Sequence, residues 1–290
     1  MTAPPVLLVT GGAGYVARHV IRRAGGWQVY ATFHHAPPNS DNAVWRALDV
    51  RDGAAVAALV QELRPTAIIH TAYQMNTPDM DTVVIDGTRH VAQAAVRVGA
   101  RLVHLSTDVV FDGRRGHYRE SDSPSPIHAY GMAKAQAEAE IKRNAPNAAI
   151  VRTSLVYGFD PLDRITAWVL DSVRQGSPIT LFTDEFRCPI FATDLADALL
   201  ELARNDISGP IHVAGPQVLS RYDMGIRLCR AFGLDETAIT PAPAASSGLT
   251  RPLNCTLDTN LAQQRLRALL RGVDDVLASV FPAYAPPTHG

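Results

Sequence analysis

The first half of the chain repeats one pattern: a short, almost wholly apolar run, a turn, then a helical stretch. Apolar runs at Val6 to Thr10, Gln28 to Phe33, Asn42 to Leu48, Ala67 to Ala72, Arg101 to Ser106 and Ala148 to Thr153 read as strands. Helices are predicted over Ala13 to Ala24, Gly53 to Leu63, Asp81 to Val98 and Ala129 to Asn144, the second ended by Pro65, the third by Gly99 and the fourth before Pro146. Strands that alternate with helices form βαβ units, and runs this apolar fit strands buried on both faces. The expected fold class is therefore α/β, a Rossmann-type doubly wound parallel sheet with a smaller C-terminal substrate lobe.

Beyond Thr153 the pattern becomes irregular. Helices are expected over Arg164 to Gln175, Thr193 to Arg204, Arg221 to Phe232 and Arg271 to Val280, and Thr240 to Gly248 reads as loop. The apolar run Ile211 to Ala214 suits a strand that rejoins the first sheet. The expected division is 1–155 as a dinucleotide-binding domain, with 190–214 returning to it, and 156–290 mainly as a substrate-binding lobe.

Strand one runs directly into Thr10-Gly11-Gly12-Ala13-Gly14-Tyr15-Val16-Ala17. Gly11 permits a tight strand-to-helix turn, and Gly14 lets the backbone approach a pyrophosphate lying on the helix N-terminus. Ala17 is small enough for close helix–strand packing. Tyr15 and Val16, in the segment after the glycines, and Ala72, at the end of the fourth strand, are further candidates for cofactor contacts. An acid at the end of strand two would hold a ribose 2′-hydroxyl. The chain instead reads Thr32-Phe33-His34-His35, with no acid before Asp41. Its absence removes the repulsion against a 2′-phosphate and favours NADPH over NADH. Thr32, His34 and His35 are the nearby partners. Asp49-Val50 sits where an adenine contact arises, or where Asp49 starts the next helix.

Ser106-Thr107-Asp108 closes strand five, and Tyr130-Gly131-Met132-Ala133-Lys134 opens the fourth helix. Positions four apart share a helix face, so Tyr130 and Lys134 point the same way. A neighbouring ammonium favours phenolate and lowers the tyrosine pKa, which makes Tyr130 a candidate proton donor. Thr107 is placed to hydrogen-bond a substrate oxygen. The chain is rich in arginine, yet Lys134 and Lys142 are its only lysines. With 8 tyrosines, chance gives roughly 0.06 such pairs per chain. A compact ammonium is not replaceable by guanidinium here.

Composition bounds the partners. With 290 residues and 47% hydrophobic content, a sizeable core can be buried. A net charge of −1 gives no long-range attraction to nucleic acid or an anionic membrane. Cys188, Cys229 and Cys255 have spacings that suit neither a disulfide framework nor a metal site, so no metal is expected. Met1 to Pro5 lacks the character of a signal peptide, and no apolar run approaches membrane-spanning length. The expectation is a cytoplasmic protein with a small-molecule substrate; a homodimer is compatible with these features.

Together, the glycine turn, Ser106-Thr107-Asp108 and Tyr130 to Lys134 resemble the extended short-chain dehydrogenase/reductases. More narrowly, the chain resembles their dTDP-4-dehydrorhamnose reductase branch. The matching segments are Ser106 to Gly113, Tyr118-Arg119-Glu120, Pro126, Val151 to Gly158, Thr193 to Ala196, Arg251-Pro252 and Leu257-Asp258. The resemblance implies NADPH-dependent reduction of a keto group on a nucleotide-linked sugar, with Thr107, Tyr130 and Lys134 as catalytic triplet. It also implies cofactor contacts near Leu155 and places Arg251 near the nucleotide end of the substrate.

Departures cluster around the sugar pocket. Val84 stands where the branch often has Asn, Val109 where it has Tyr after Ser-Thr-Asp, and Leu155 where it has Trp. Phe159-Asp160-Pro161-Leu162 replaces a Gly-x-Asn-Phe segment, and Arg187 replaces a Gly. Asp108, Val109, Arg187 and Arg251 are accordingly the substrate-binding candidates beside Thr107, with a different keto substrate expected. Arg187 has two readings, a phosphate partner or an ion-pair partner of Asp184 or Glu185. His70 reads as a core histidine, Cys188 as an unreactive thiol, Trp45 and Trp168 as core residues, and Glu120 and Asp122 as loop anchors. Two other functions compete: a non-catalytic NADP-binding regulatory subunit, as in methionine adenosyltransferase, and a nucleotide-sugar epimerase or dehydratase. A single acid after Thr107 and the missing acid after strand two disfavour the last pair.

Overall fold

The structure is a computed structural model that describes residues 3–38 and 42–287; Met1 and Asp41 lie outside the described residues. Seven strands form one sheet: β1 (Val6–Thr10), β2 (Gln28–Phe33), β3 (Val44–Ala47), β4 (Ala67–His70), β5 (Arg101–Thr107), β6 (Ala149–Thr153) and β7 (Gly209–His212). Their spatial order is β7-β6-β5-β4-β1-β2-β3, and every neighbouring pair runs parallel. The order reverses between β1 and β4. That reversal opens a crevice beyond the carboxyl ends of the strands, where open α/β sheets hold ligands.

Alternation along β1 shows why both faces are apolar. Leu7 and Val9 enter one core with Val20, Leu195 and Leu199, beneath α1 (Tyr15–Arg23) and the later helix Ala192–Leu202. Leu8 enters the opposite core with Val60, Val91, Ile141 and Ile150. That face is covered by α2 (Gly53–Leu63), α3 (Gly87–Val98) and α4 (Ala129–Asn144). Successive side chains point to opposite faces, so a strand covered on both must be apolar throughout. The helix expected from Asp81 begins instead as a π-turn, Thr82–Asp86, that passes into α3.

The second half adds α5 (Arg164–Arg174), α6 (Ala192–Leu202) and α7 (Arg221–Ala231), then α8 (Asn260–Arg265) and α9 (Val273–Val280). α5 and α7 share a small core that includes Val169, Val173, Ile226 and Ile239. The segment expected as loop from Thr240 in fact begins within a short strand, Ile239–Ala242, parallel to Ile179–Phe182. Pro241 hides this strand from a sequence reading, yet a two-stranded ribbon leaves proline's missing donor on an edge. Among the described residues, no helix is long and apolar enough to cross a membrane.

Candidate active site

The glycine turn needs glycine for a measurable reason. Gly11 has φ +72°, and a Cβ there would lie 2.7 Å from Ala72 Cα and N. The turn is tied to β2 by Gly12 N–H, which donates to Thr32 O at 2.8 Å, and by Gly11 N–H, which donates to Thr32 Oγ1 at 3.2 Å. Gly14 then caps α1 in extended conformation, leaving the first-turn N–H groups directed outward. A cavity of about 280 Å³ opens beside them. Its walls include Gly11, Gly14, Thr32, His34, Asp49, Val50 and Ala72, all expected from the sequence. Tyr15 and Val16 turn away: the Tyr15 hydroxyl donates to Pro161 O at 3.0 Å, and Val16 packs on the core. Arg51 also lines the cavity, and sequence reading missed it. Its signal was its place two residues after Asp49. Arg51 clasps Asp49 with contacts of 2.6–2.9 Å and reaches Asp79 at 2.8 Å. The hydrogen bonds from Arg51 hold the Asp49 carboxyl down to about 2.

Tyr130 and Lys134 lie on α4 where it packs against β5, which ends in Thr107. Gly131 makes this possible, since a Cβ there would lie 2.3 Å from Val109 O. Tyr130 is half-buried, with Tyr73 of the cavity wall 6.0 Å away between ring centroids. The expected lowering of the Tyr130 pKa is not found. Burial, with Tyr73 and Asp108 adding to it, holds the phenol above its ordinary value. The reason lies in where Lys134 goes. It is buried, and its ammonium donates to Leu105 O at 2.6 Å and meets His104 Nε2 at 3.3 Å. Burial pulls the lysine down to about 8, against an opposing pull from Glu138. Thr107, at the end of β5, directs its hydroxyl to Asp108 Oδ1 at 3.2 Å. Asp108 is held in turn by Ser154 at 2.6 Å and Arg187 at 3.5 Å.

A second cavity, of about 260 Å³, lies over the other half and is lined by Leu155, Trp168, Phe182, Arg221 and Arg251 among others. Leu155 therefore borders this cavity rather than the first. Arg251 pairs with Glu185 and lies over the Phe182 ring at 5.0 Å. Glu185 is wholly buried among Arg187, Arg221 and Arg251. Burial would raise its pKa, but the bond from Arg251 and the charges of Arg221 and Arg187 carry it down to about 2. Of the two readings of Arg187, the structure makes the ion pair: it meets Glu185 at 3.3 Å and Asp108 at 3.5 Å, and lines neither cavity. Asp184 instead accepts from Ala244 N–H at 2.7 Å. Val109 is half-buried behind Thr107, whose hydroxyl its N–H reaches at 3.4 Å.

His70 is a satisfied core residue, held by Thr10 Oγ1 at 2.6 Å and Thr88 Oγ1 at 3.1 Å. Burial pushes the Cys188 thiol up to about 11. Trp45 packs against the core, but Trp168 does not: it is 46% exposed on the rim of the second cavity. The buried face of α5 is taken by Thr166, Val169, Leu170 and Val173, which turns position 168 outward. Glu120 accepts from His212 N–H at 3.1 Å, and Asp122 accepts from Arg119 N–H at 2.7 Å, so both anchor their loop. Among the described residues, no group of His, Cys, Asp or Glu side chains is arranged to hold a metal ion.

The family model described as RmlD substrate binding domain matches residues 6–284. The chain belongs to this family. The chain is 31% identical over 294 residues to the probable low-salt glycan biosynthesis reductase Agl14 of Haloferax volcanii, covering 96% of this chain and 97% of that protein. It is 29% identical over 270 residues to the methionine adenosyltransferase 2 subunit beta of Xenopus tropicalis, covering 87% of this chain and 79% of that one. Among solved structures, a hypothetical dTDP-4-dehydrorhamnose reductase from Sulfolobus tokodaii superposes with a TM-score of 0.83 at 25% identity, over 93% of this chain and 98% of that chain. The sheet order and glycine turn described above are thus set in an RmlD-type framework.

Proposed function

We propose that the chain is an NADPH-dependent reductase of a keto group on a nucleotide-linked sugar, with NADH a weaker alternative. The observation that carries this reading is the pair Tyr130 and Lys134 one turn apart on α4, the lysine buried and the Tyr130 ring 6.0 Å from Tyr73 of the glycine-turn cavity wall. The cavity suits a dinucleotide: Gly11 and Gly14 line it, the left-handed turn at Gly11 lets the chain pass close to Ala72, and α1 presents its N-terminus to a pyrophosphate. When bound, the reduced nicotinamide supplies the hydride. Tyr130 donates its proton to the carbonyl oxygen; a phenol that burial holds above its ordinary value is in the protonated form that step requires. Lys134, one helical turn from Tyr130, favours as an ammonium the phenolate left behind. Thr107 steadies the substrate oxygen, and Asp108 orients the Thr107 hydroxyl.

The second cavity suits the nucleotide portion, with Arg251 and Arg221 toward its charged groups and Trp168 on its rim. In this reading 1–155, with 190–214, hold the dinucleotide, and 156–290 chiefly hold substrate, in the cytoplasm. A second reading is a binding subunit without turnover, favoured by the likeness to methionine adenosyltransferase 2 subunit beta. The test is oxidation of NADPH or NADH with a panel of keto sugars led by dTDP-4-dehydrorhamnose, beside Tyr130→Phe. The reductase reading expects turnover that falls about 10²–10⁴-fold in the variant. Dinucleotide binding with no turnover on any keto sugar would sink it and leave the binding subunit.

A further inference from the structure

Lys134 ends in a closed space. Its ammonium donates to Leu105 O at 2.6 Å and faces His104 Nε2 at 3.3 Å, and both side chains are buried. An ammonium has three N–H donors and no lone pair, so the ring nitrogen that faces it must accept. The hydrogen of a neutral His104 then sits on Nδ1, a buried atom with no hydrogen-bond partner among the described residues. A buried N–H left unpaired is costly. The other tautomer would leave only a lone pair at Nδ1, but it sets two donors face to face at Lys134. His70, its ring 5.3 Å from that of His104, offers no relief. The Thr88 hydroxyl donates to Val84 O at 2.6 Å, so it accepts from His70 Nε2, and Thr10 in turn donates to His70 Nδ1. Both nitrogens of His70 are thereby used.

We infer that His104 is a positioning residue of the candidate site: its Nε2 lone pair keeps Lys134 in place and in the charged form on which Tyr130 depends. The inference rests on the reading of Tyr130 and Lys134 as the proton-donating pair. The other ionisable groups around them are Glu138 on α4, already paired with Arg152 of β6; His70 on β4; and Asp108 after β5, held by Ser154 and Arg187. From the π-turn, Val84 shares an apolar cluster with Ala133 and Ala137 and brings no charge. Burial, then the charge of Lys134 and the His70 ring, hold the His104 imidazole well below its ordinary value, so it stays neutral and its lone pair stays free for the lysine. Without that lone pair the ammonium keeps Leu105 O as its acceptor, the amine form gains, and Lys134 gives up its proton at lower pH.

Lys134 and Lys142 are the only lysines, so the full chain made with isotope-labelled lysine gives two side-chain Cε signals, told apart by Lys142→Arg. Their shifts, followed by nuclear magnetic resonance between about pH 6 and 11, give each lysine's midpoint directly. The expected Lys134 midpoint is near 8. In His104→Leu, checked for native thermal unfolding, it falls by about one unit, a tenfold weaker hold on the proton. In His104→Gln, whose amide oxygen can accept from the ammonium, it returns to within about 0.3 unit. The histidine ring-nitrogen shifts of the unaltered chain read the tautomer without any variant, with the His104 hydrogen expected on Nδ1 at neutral pH. A midpoint that stays or rises in His104→Leu, a glutamine that does not restore it, or a His104 hydrogen on Nε2 at neutral pH overturns the inference. Turnover is read separately: the alkaline limb of kcat/KM is expected to follow the Lys134 midpoint and to move with it in His104→Leu. A midpoint that moves as stated while no keto sugar turns over strikes the reductase reading and leaves the hold of His104 on Lys134 standing.

Discussion

The pair Glu138–Arg152 lies directly behind the candidate site, and breaking it is expected to cost far more than removing it whole. Arg152 is 0% exposed and Glu138 1%. The guanidinium meets the carboxylate at 2.8 and 3.0 Å, and Ser106 donates to the same carboxylate at 2.7 Å. Arg152→Met leaves a buried carboxylate with a single hydroxyl partner. Glu138→Leu leaves a buried guanidinium with the Phe111 face at 5.0 Å and the Glu120 carbonyl at 3.5 Å. Each single change strands a charge in low dielectric and is expected to destabilise by about 3–5 kcal/mol. Against a total of about 5–15 kcal/mol, that is a large share. The double variant removes both charges and orphans the Ser106 hydroxyl, which costs about 1–3 kcal/mol. The double change should therefore cost less than either single one. Urea unfolding followed by circular dichroism gives the three values, with an unchanged m-value as the check on two-state behaviour. If the two single costs simply add in the double variant, the partners do not compensate each other, and the low-dielectric account of this site is wrong.

Four further outcomes follow from the same geometry. The lysine pulled down to about 8 predicts that kcat/KM for the dinucleotide falls as pH rises through that value, because Lys134 acts as ammonium; a profile flat to pH 10 contradicts it. Stability should rise over the same window, from about pH 8 to the ordinary lysine range, since the unfolded chain there binds the proton that the folded chain has released. Gly11→Ala, at φ +72° and with 2.7 Å to the Ala72 backbone, is expected to lose dinucleotide binding in calorimetry and at least about 1–2 kcal/mol of stability. Cys188, buried with its thiol pushed up to about 11, should resist a maleimide reagent in the native chain and react on unfolding, as read by mass spectrometry.

Legibility in the sequence followed the range of the interaction. The central strands of the first half were readable because burial on both faces imposes apolar runs, the edge strand Val44–Ala47, with no buried residue, more weakly, and the glycine turn because its backbone demand is local. Tyr130 and Lys134 were readable for the same reason, being one helical turn apart. What escaped depended on elements distant in sequence. Trp168 read as core, because composition does not show which face of α5 the rest of the chain covers. The strand Ile239–Ala242 was hidden by Pro241, harmless only because its partner Ile179–Phe182 makes a two-stranded ribbon. Lys134 seemed free to act on Tyr130, while the chain supplies Leu105 O and His104 beneath it.

A signal for the charged layer behind the site was nevertheless present. Tyr130, Lys134 and Glu138 form one i, i+4, i+8 row on α4, and only the first two were read as chemistry. A carboxylate continuing such a row on the buried side of a helix needs a cation. Arg152, set in an apolar strand otherwise buried on both faces, needs an anion. Each residue is unreasonable alone at 0–1% exposure and reasonable only with the other, so the two together fix how α4 lies against β6. That docking also brings Lys134 against Leu105 O. The ion pair's consequence for function is thus register rather than net stability, the role in which buried charge is best attested.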